Sequence, residues 1–379
     1  MTIYTVRPND TVDSIAALYG ISPQSIIYDN QLAYPYPLAI GQALLIAADT
    51  QAENPPIPAH VGGYAYPFIE REILEETLPY LSDLFIFSYG FTPEGELIPP
   101  ALDDSPMIAL AKAFGTAPIL TLTPFDASGR FNNNLISQLI HNVSAREQLI
   151  ENLSNQITVR GFEGVDIDFE YILAEDRIPF ADFVREVRTA INALGFPVSV
   201  ALAPKISDTQ TGLLYEGKDY ALLGEAADYV LLMTYEWGYT YGPPMAVAPL
   251  NKVRQVVEYA LTKIPAAKIH LGIPNYGYDW TLPFVQGVSK ATTIGNVQAV
   301  QIAIAQDVPI QFDETAQSPY FNYTSEGMFH EVWFEDVRSL SAKFGLVKEY
   351  GLRGMGYWQI MRLFRANWLL LADTFSIVR

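Results

Sequence analysis

The chain has 379 residues, half of them hydrophobic and only 17% charged, which excludes a largely disordered protein and suits one large domain with an appendage. Acidic residues outnumber basic ones 42 to 23 for a formal net charge of −19, the wrong balance for holding a phosphate backbone, so nucleic acid is not expected as a partner. Cysteine is absent, which removes disulfides, thiolate metal sites and a cysteine nucleophile.

Residues 1–48 read as a self-contained unit. Ile3 to Val6 alternate as a strand, and Asp10 or Thr11 can cap a helix carrying Val12, Ile15, Ala16 and Tyr19 before a stop at Gly20. Ser22 and Pro23 open a second helix, and a Pro-rich loop at 34–37 leads to a closing strand at 43–46. Residues 49–61, with Pro55, Pro56 and Pro58, read as a linker.

From residue 62 to 379, short apolar runs alternate with amphipathic segments. The runs fall at 63–67, 84–91, 118–123, 164–170, 198–204, 229–236, 269–277 and 354–360. Helical stretches separate most of them, among them 144–159, where Ser144 and Glu147 match a capping box, and 180–194. Eight strands with helices between them favour an α/β fold of the (β/α)8 TIM barrel type. An open doubly wound sheet is the competitor, but it would usually carry a Gly-rich phosphate loop after its first strand. Residues 282–334 exceed an ordinary loop and are expected to form a small insertion with one helix near 294–306 and a hairpin.

The segment Gly161-Phe-Glu-Gly-Val-Asp-Ile-Asp-Phe-Glu-Tyr171 carries the chemistry. Asp166, Asp168 and Glu170 alternate with Val165, Ile167 and Phe169, so in a strand the three acids share one face about 6.6 Å apart. Inside a barrel they point into the lumen. On an exposed strand they would merely be solvated. Crowded carboxylates oppose one another's ionisation, so at least one should hold a proton near neutral pH. Glu170, nearest the C-terminal end of the strand, is the expected proton donor. That suits glycoside cleavage, except that both carboxylates of an ordinary retaining pair do not come from one strand, so the substrate itself would supply the nucleophile.

Glu163-Gly-Val-Asp-Ile-Asp-Phe-Glu170 resembles the DGxDxDxE signature of glycoside hydrolase family 18, the chitinase-like barrels, with Glu163 for the first Asp. Met233-Thr-Tyr-Glu236 resembles that family's M-x-Y-D element, and Trp358 in Gly354-Met-Gly-Tyr-Trp resembles the tryptophan under the −1 sugar. The resemblance implies that Glu170 protonates the glycosidic oxygen while the substrate's 2-acetamido carbonyl attacks the anomeric carbon. Asp168 would steady the oxazolinium ion, Asp166 would share charge behind it, and Tyr235 would bond the acetamido oxygen. Trp358, Glu236, Tyr276, Trp237, Tyr66 and Tyr89 are the expected sugar-binding side chains.

Residues Tyr4 to Asp10, Ile15-Ala16, Tyr19-Gly20, Asn30 and Gly41-Gln42 resemble a LysM module, which implies binding of N-acetylglucosamine glycans around Asn9, Asp10, Thr11, Asn30, Pro37 and Leu38. Segments 233–245, 276–280 and 330–335 resemble the LysM-bearing spore cortex-fragment lytic enzymes of the SleL/YaaH type. Many of those carry two such modules, against one here. The resemblance implies a β-1,4 glycosidase acting at N-acetylglucosamine in peptidoglycan, with a chitinase on chitin oligomers or a non-catalytic glycan binder as alternatives. A monomer without cofactor is expected, and no metal, since the histidines at 60, 141, 270 and 330 show no metal-ligand spacing. No apolar run reaches the ~20 residues of a membrane span, and MTIYTVRPNDTV does not read as a signal peptide. Localisation at the spore coat and cortex, or at the cell wall, is expected.

Overall fold

The computed structural model describes residues 1–48 and 56–379. In the N-terminal module, β1 (Thr2–Thr5) pairs antiparallel with β2 (Ala43–Ile46) beside α1 (Val12–Tyr19) and α2 (Pro23–Asp29). Thr11, rather than Asp10, caps α1: its hydroxyl accepts from Ser14 N–H, and Gly20 closes the helix at φ 66°. Leu44 and Ile46 join the module's own core, while Leu45 turns outward into the core of the large domain. Strand β2 is therefore buried on both faces, and the module is docked rather than tethered.

The docking is specific. Arg365 forms a forked ion pair with Glu76, donates to the Tyr28 carbonyl, and lies 3.9 Å from the Tyr28 ring centre. The Ile310 amide donates to the Ile40 carbonyl at 2.8 Å. Beside it, a Cβ on Gly41 would come within 1.9 Å of the Ile310 oxygen.

The large domain runs β3 (Ile57–Ala65), α3 (Arg71–Thr77), β4 (Asp83–Phe91), β5 (Leu97–Ile98), α4 (Ser105–Ala113), β6 (Ala117–Leu122), α5 (Asn134–Ile140) and α6 (Val143–Arg160). It continues with β7 (Val165–Ile167), α7 (Arg177–Ala193), β8 (Val198–Leu202), α8 (Tyr220–Ala226), β9 (Tyr229–Leu232), α9 (Leu250–Leu261) and β10 (Ile269–Pro274). Strands β3, β4, β6, β7, β8, β9 and β10, with β16 (Gly354–Trp358), pair in parallel and close on one another. This is a closed (β/α)8 barrel. The remaining helices α11 (Val337–Tyr350) and α12 (Arg365–Thr374) flank β16, and β17 (Phe375–Ile377) pairs with the start of β3.

Three expectations change. Residues 49–55 of the expected linker lie outside the described residues, but 57–61 are barrel strand, not linker. Pro58 is tolerated because β16 pairs with β3 only from His60 onward. The helix expected to be capped by Ser144 starts at Val143, with the Asn142 side chain accepting from Ala145 N–H. The insertion is larger than one hairpin. It opens at β11 (Gly277–Leu282) and forms a five-stranded antiparallel sheet with β12 (Thr292–Ile294), β13 (Gln311–Asp313), β14 (Ser318–Ser325) and β15 (Met328–Trp333), backed by α10 (Asn296–Ala305). Strand β11 reads in sequence as an extension of β10, which concealed where the insertion begins. Among the described residues, no helix is long and apolar enough to cross a membrane.

Candidate active site

Strand β7 has three paired residues, and Asp168 to Glu170 continue beyond it at the C-terminal mouth of the barrel, the Asp168 N–H still donating to the Leu122 carbonyl of β6 at 2.9 Å. Val165, Ile167 and Phe169 face the helices, where Phe169 lies 5.8 and 6.0 Å from the rings of Phe180 and Phe183 on α7. The acids take the other side. Asp166 is wholly buried, accepting from the Ser199 hydroxyl at 2.6 Å and the Tyr64 hydroxyl at 2.9 Å. Asp168 is also buried, and its Oδ1 has no hydrogen-bond partner among the described residues.

Burial pushes the Asp166 carboxyl up to about 6, against the bonds from Ser199 and Tyr64. Burial, then the neighbouring Glu170 and Asp166, raise Asp168 well above the usual carboxylate range. Burial likewise raises Glu170. The counter-charge is Lys218, which the sequence did not reveal. Its side chain is fully buried and its Nζ donates to the carbonyls of Phe169 and, at 2.9 Å, Ala201. Burial lowers its ammonium to about 8 despite three facing carboxylates. Three acids against one cation leave the cluster able to keep a proton on the Asp168–Glu170 pair near neutral pH.

The mouth is aromatic. Trp358 is half-buried, with ring centres of Phe87, Tyr64 and Tyr66 at 5.1, 5.7 and 6.2 Å. Tyr235 is buried beside the acids. Burial, followed by the Asp168 and Glu170 charges, raises its hydroxyl well above the ordinary tyrosine range, which keeps it a donor. Its ring packs on the bare backbone of β10, where a Cβ on Gly272 would come within 2.9 Å of the ring and 2.3 Å of the Leu232 oxygen. Glu236 sits at φ 64° and accepts from the hydroxyls of Tyr276 and, at 2.9 Å, Tyr278. Burial raises its carboxyl, opposed by both bonds. Trp237 packs half-buried against the core.

Tyr89 must be removed from the expected set. It is buried on the helix side, its hydroxyl donating to Asp104 at 2.7 Å and its ring 5.7 Å from Phe162. The register of β4 against β6 shifts between Ile86 and Tyr89, and this turns Tyr89 away from the face shared by Phe85 and Phe87. Tyr64 and Ser199 hold Asp166 in the barrel instead, yet neither sits in a motif that sequence alone marks. Among the described residues, no cluster of His, Asp and Glu is arranged to hold a metal.

Residues 128–362 match the glycosyl hydrolases family 18 and residues 4–47 match the LysM domain. The chain is 36% identical to the cortical fragment-lytic enzyme of Bacillus subtilis (strain 168), over all of this chain and 99% of the relative. The chain belongs to glycosyl hydrolase family 18. The crystal structure of the Bacillus cereus spore cortex-lytic enzyme SleL superposes with a TM-score of 0.94 at 32% identity, covering 100% and 99% of the two chains. A sporulation-specific glycosylase, YdhD of Bacillus subtilis, covers 73% of this chain and 90% of its own at a TM-score of 0.68 and 36% identity.

In this family 18 glycosidase the LysM residues Asn30, Tyr34 and Pro37 line a cavity with Asn296, Val300 and Phe364 of the large domain. Asn9 is exposed at φ 70°, as expected for the tip of a tight turn. Asp10 is occupied, accepting from Tyr4 at 2.7 Å and Arg7 N–H at 2.7 Å, and Thr11 is the helix cap. Asn30 corrects an expectation: its amide donates to the Ile26 and Leu45 carbonyls and accepts from Leu45 N–H, so it ties α2 to β2 and has no donor to spare. Pro37 is exposed and Leu38 half-buried. The loop's prominent side chains are Tyr34, 85% exposed, and Tyr36, set edge-on to it at 5.6 Å. Both belong to the Pro-rich loop at 34–37.

Proposed function

We propose that the chain is a retaining β-N-acetylglucosaminidase of spore cortex peptidoglycan, using the substrate's acetamido group as nucleophile. The observation that carries this is the Asp166–Asp168–Glu170 row at the barrel mouth beside a protonated Tyr235 and the Trp358 platform. Glu170 gives its proton to the glycosidic oxygen, and the acetamido carbonyl oxygen forms a bond to the anomeric carbon as the bond to the leaving sugar breaks. Asp168 accepts the acetamido N–H and balances the oxazolinium charge, while Asp166, held by Ser199 and Tyr64, takes up part of the negative charge behind it. Tyr235 donates to the acetamido oxygen. Water then opens the oxazolinium with Glu170 as base, retaining configuration.

The relatives' printed names support the substrate, since they are called cortical fragment-lytic and spore cortex-lytic enzymes. Localisation at the spore cortex and glycan capture by the LysM loop around Asn9, Tyr34, Tyr36 and Pro37 belong to the same reading. Glu170→Gln should cut turnover about 10²- to 10⁴-fold while calorimetry still registers glycan binding. Mass spectrometry of a wild-type cortex digest should find N-acetylglucosamine at the new reducing ends. Muramic ends, or cleavage of chitin oligomers alone, would contradict the proposal.

A further inference from the structure

A small cavity of about 230 Å³ opens next to the active site, between the segment that follows Trp358 and the start of α10. Asn275, Asn296, Gln298, Gln301 and Arg362 supply its polar lining, and no carboxylate lines it. Asn275 connects it to the catalytic centre: its backbone N–H donates to the Trp358 carbonyl at 3.0 Å, and its side chain donates to the carbonyls of Gln359 and Arg362. The next residue, Tyr276, is one of the two tyrosines that hold Glu236.

Two features of this lining point to a ligand. The Arg362 guanidinium makes no ion pair among the described residues and donates only to the Thr293 carbonyl at 3.5 Å, although the chain carries a net charge of −19. Its stem lies over Gly295, where a Cβ would come within 3.0 Å of Arg362 Cδ. Asn296, only 4% exposed, accepts from Glu335 N–H but leaves its Nδ2 without a partner. A forked cation, amide donors and the first turn of a ten-residue helix surround one space, a donor set that matches a carboxylate.

We propose that this cavity is a specificity subsite for a carboxylate carried by a sugar neighbouring the one on Trp358. The proposal rests on the peptidoglycan reading above, because the muramyl sugars of that polymer bear such groups, either as a free lactyl carboxylate or on a peptide stem. Arg362 forms the ion pair and the unpartnered Asn296 amide orients it.

The test measures kcat/KM on four soluble substrates: glycan fragments with free lactyl carboxylates, with peptide stems, with muramic lactam in place of any carboxylate, and N-acetylglucosamine oligomers. Wild type should prefer one carboxylate-bearing fragment over the lactam fragment, and whichever of the two is preferred identifies the source of the carboxylate. Arg362→Gln should reduce that preference about tenfold or more through KM, and Arg362→Lys should retain most of it. Turnover of the lactam fragment by the same preparation reports folding. An unchanged preference in Arg362→Gln overturns the subsite and leaves the peptidoglycan reading intact. A wild type that cleaves the N-acetylglucosamine oligomers alone overturns both.

Discussion

The buried ammonium of Lys218 donates to the main-chain carbonyl of Phe169, the residue between Asp168 and Glu170. One side chain thus holds the backbone that spaces the two acids and also supplies the positive charge that limits how far their ionisation is suppressed.

Lys218→Met removes both effects. Lys218 favours the ionised forms of Asp166, Asp168 and Glu170, so without it all three carboxyls rise further. Both limbs of the pH–rate profile should move to higher pH. Losing two carbonyl bonds inside the barrel should also cost roughly 1–3 kcal/mol in a denaturant titration. A profile that stays in place would separate Lys218 from the acids.

Gly272→Ala tests whether Tyr235 needs the bare backbone beneath it. The added methyl would meet the Leu232 oxygen and the Tyr235 ring, with strain of about 1–3 kcal/mol. The melting temperature should fall and kcat should drop more than KM rises, because Tyr235 is displaced where the acetamido group reacts. Unaltered kcat in a folded variant would remove Tyr235 from that role.

Asp83 lies at the opposite end of the barrel, accepting from Tyr229 at 3.2 Å with His60 Nδ1 at 3.4 Å. Burial raises its carboxyl from 3.8 to about 7. The fold favours the protonated form, so this contribution is complete below pH 3.8 and is lost as the pH rises through about 7. Burial lowers His60 to about 4, an opposite contribution that is present above 6.5 and lost as the pH falls through 4. Asp83→Asn should flatten the decline in unfolding free energy between pH 4 and 8, with a linkage of up to about 4 kcal/mol at the upper end. An equal slope in variant and wild type would mean that Asp83 stays ionised in the fold.

The row of acids was legible because Asp166, Asp168 and Glu170 sit in one segment whose period of two assigns them to one face. The eight barrel strands were legible for the same reason: each is a short apolar run bounded by turn residues. Lys218 was not, since it lies in a loop whose neighbours Glu216, Gly217 and Asp219 read as an ordinary turn, and only barrel closure brings it under Phe169. Tyr89 was misplaced because a register shift in β4 cannot be seen in an apolar run. Asn30 was read as a glycan contact, although both its N–H donors go to the carbonyls of Ile26 and Leu45.

Synthetic cortex oligosaccharides that differ only in the 2-substituent of the sugar at the cleavage position, acetamido in one and free amine in the other, test the source of the nucleophile most directly. With the acid row and Tyr235 unchanged, turnover of the amine form should fall by several orders of magnitude, because no carbonyl oxygen is left to attack the anomeric carbon. Comparable rates on the two would contradict substrate assistance and require a protein carboxylate to do the attacking.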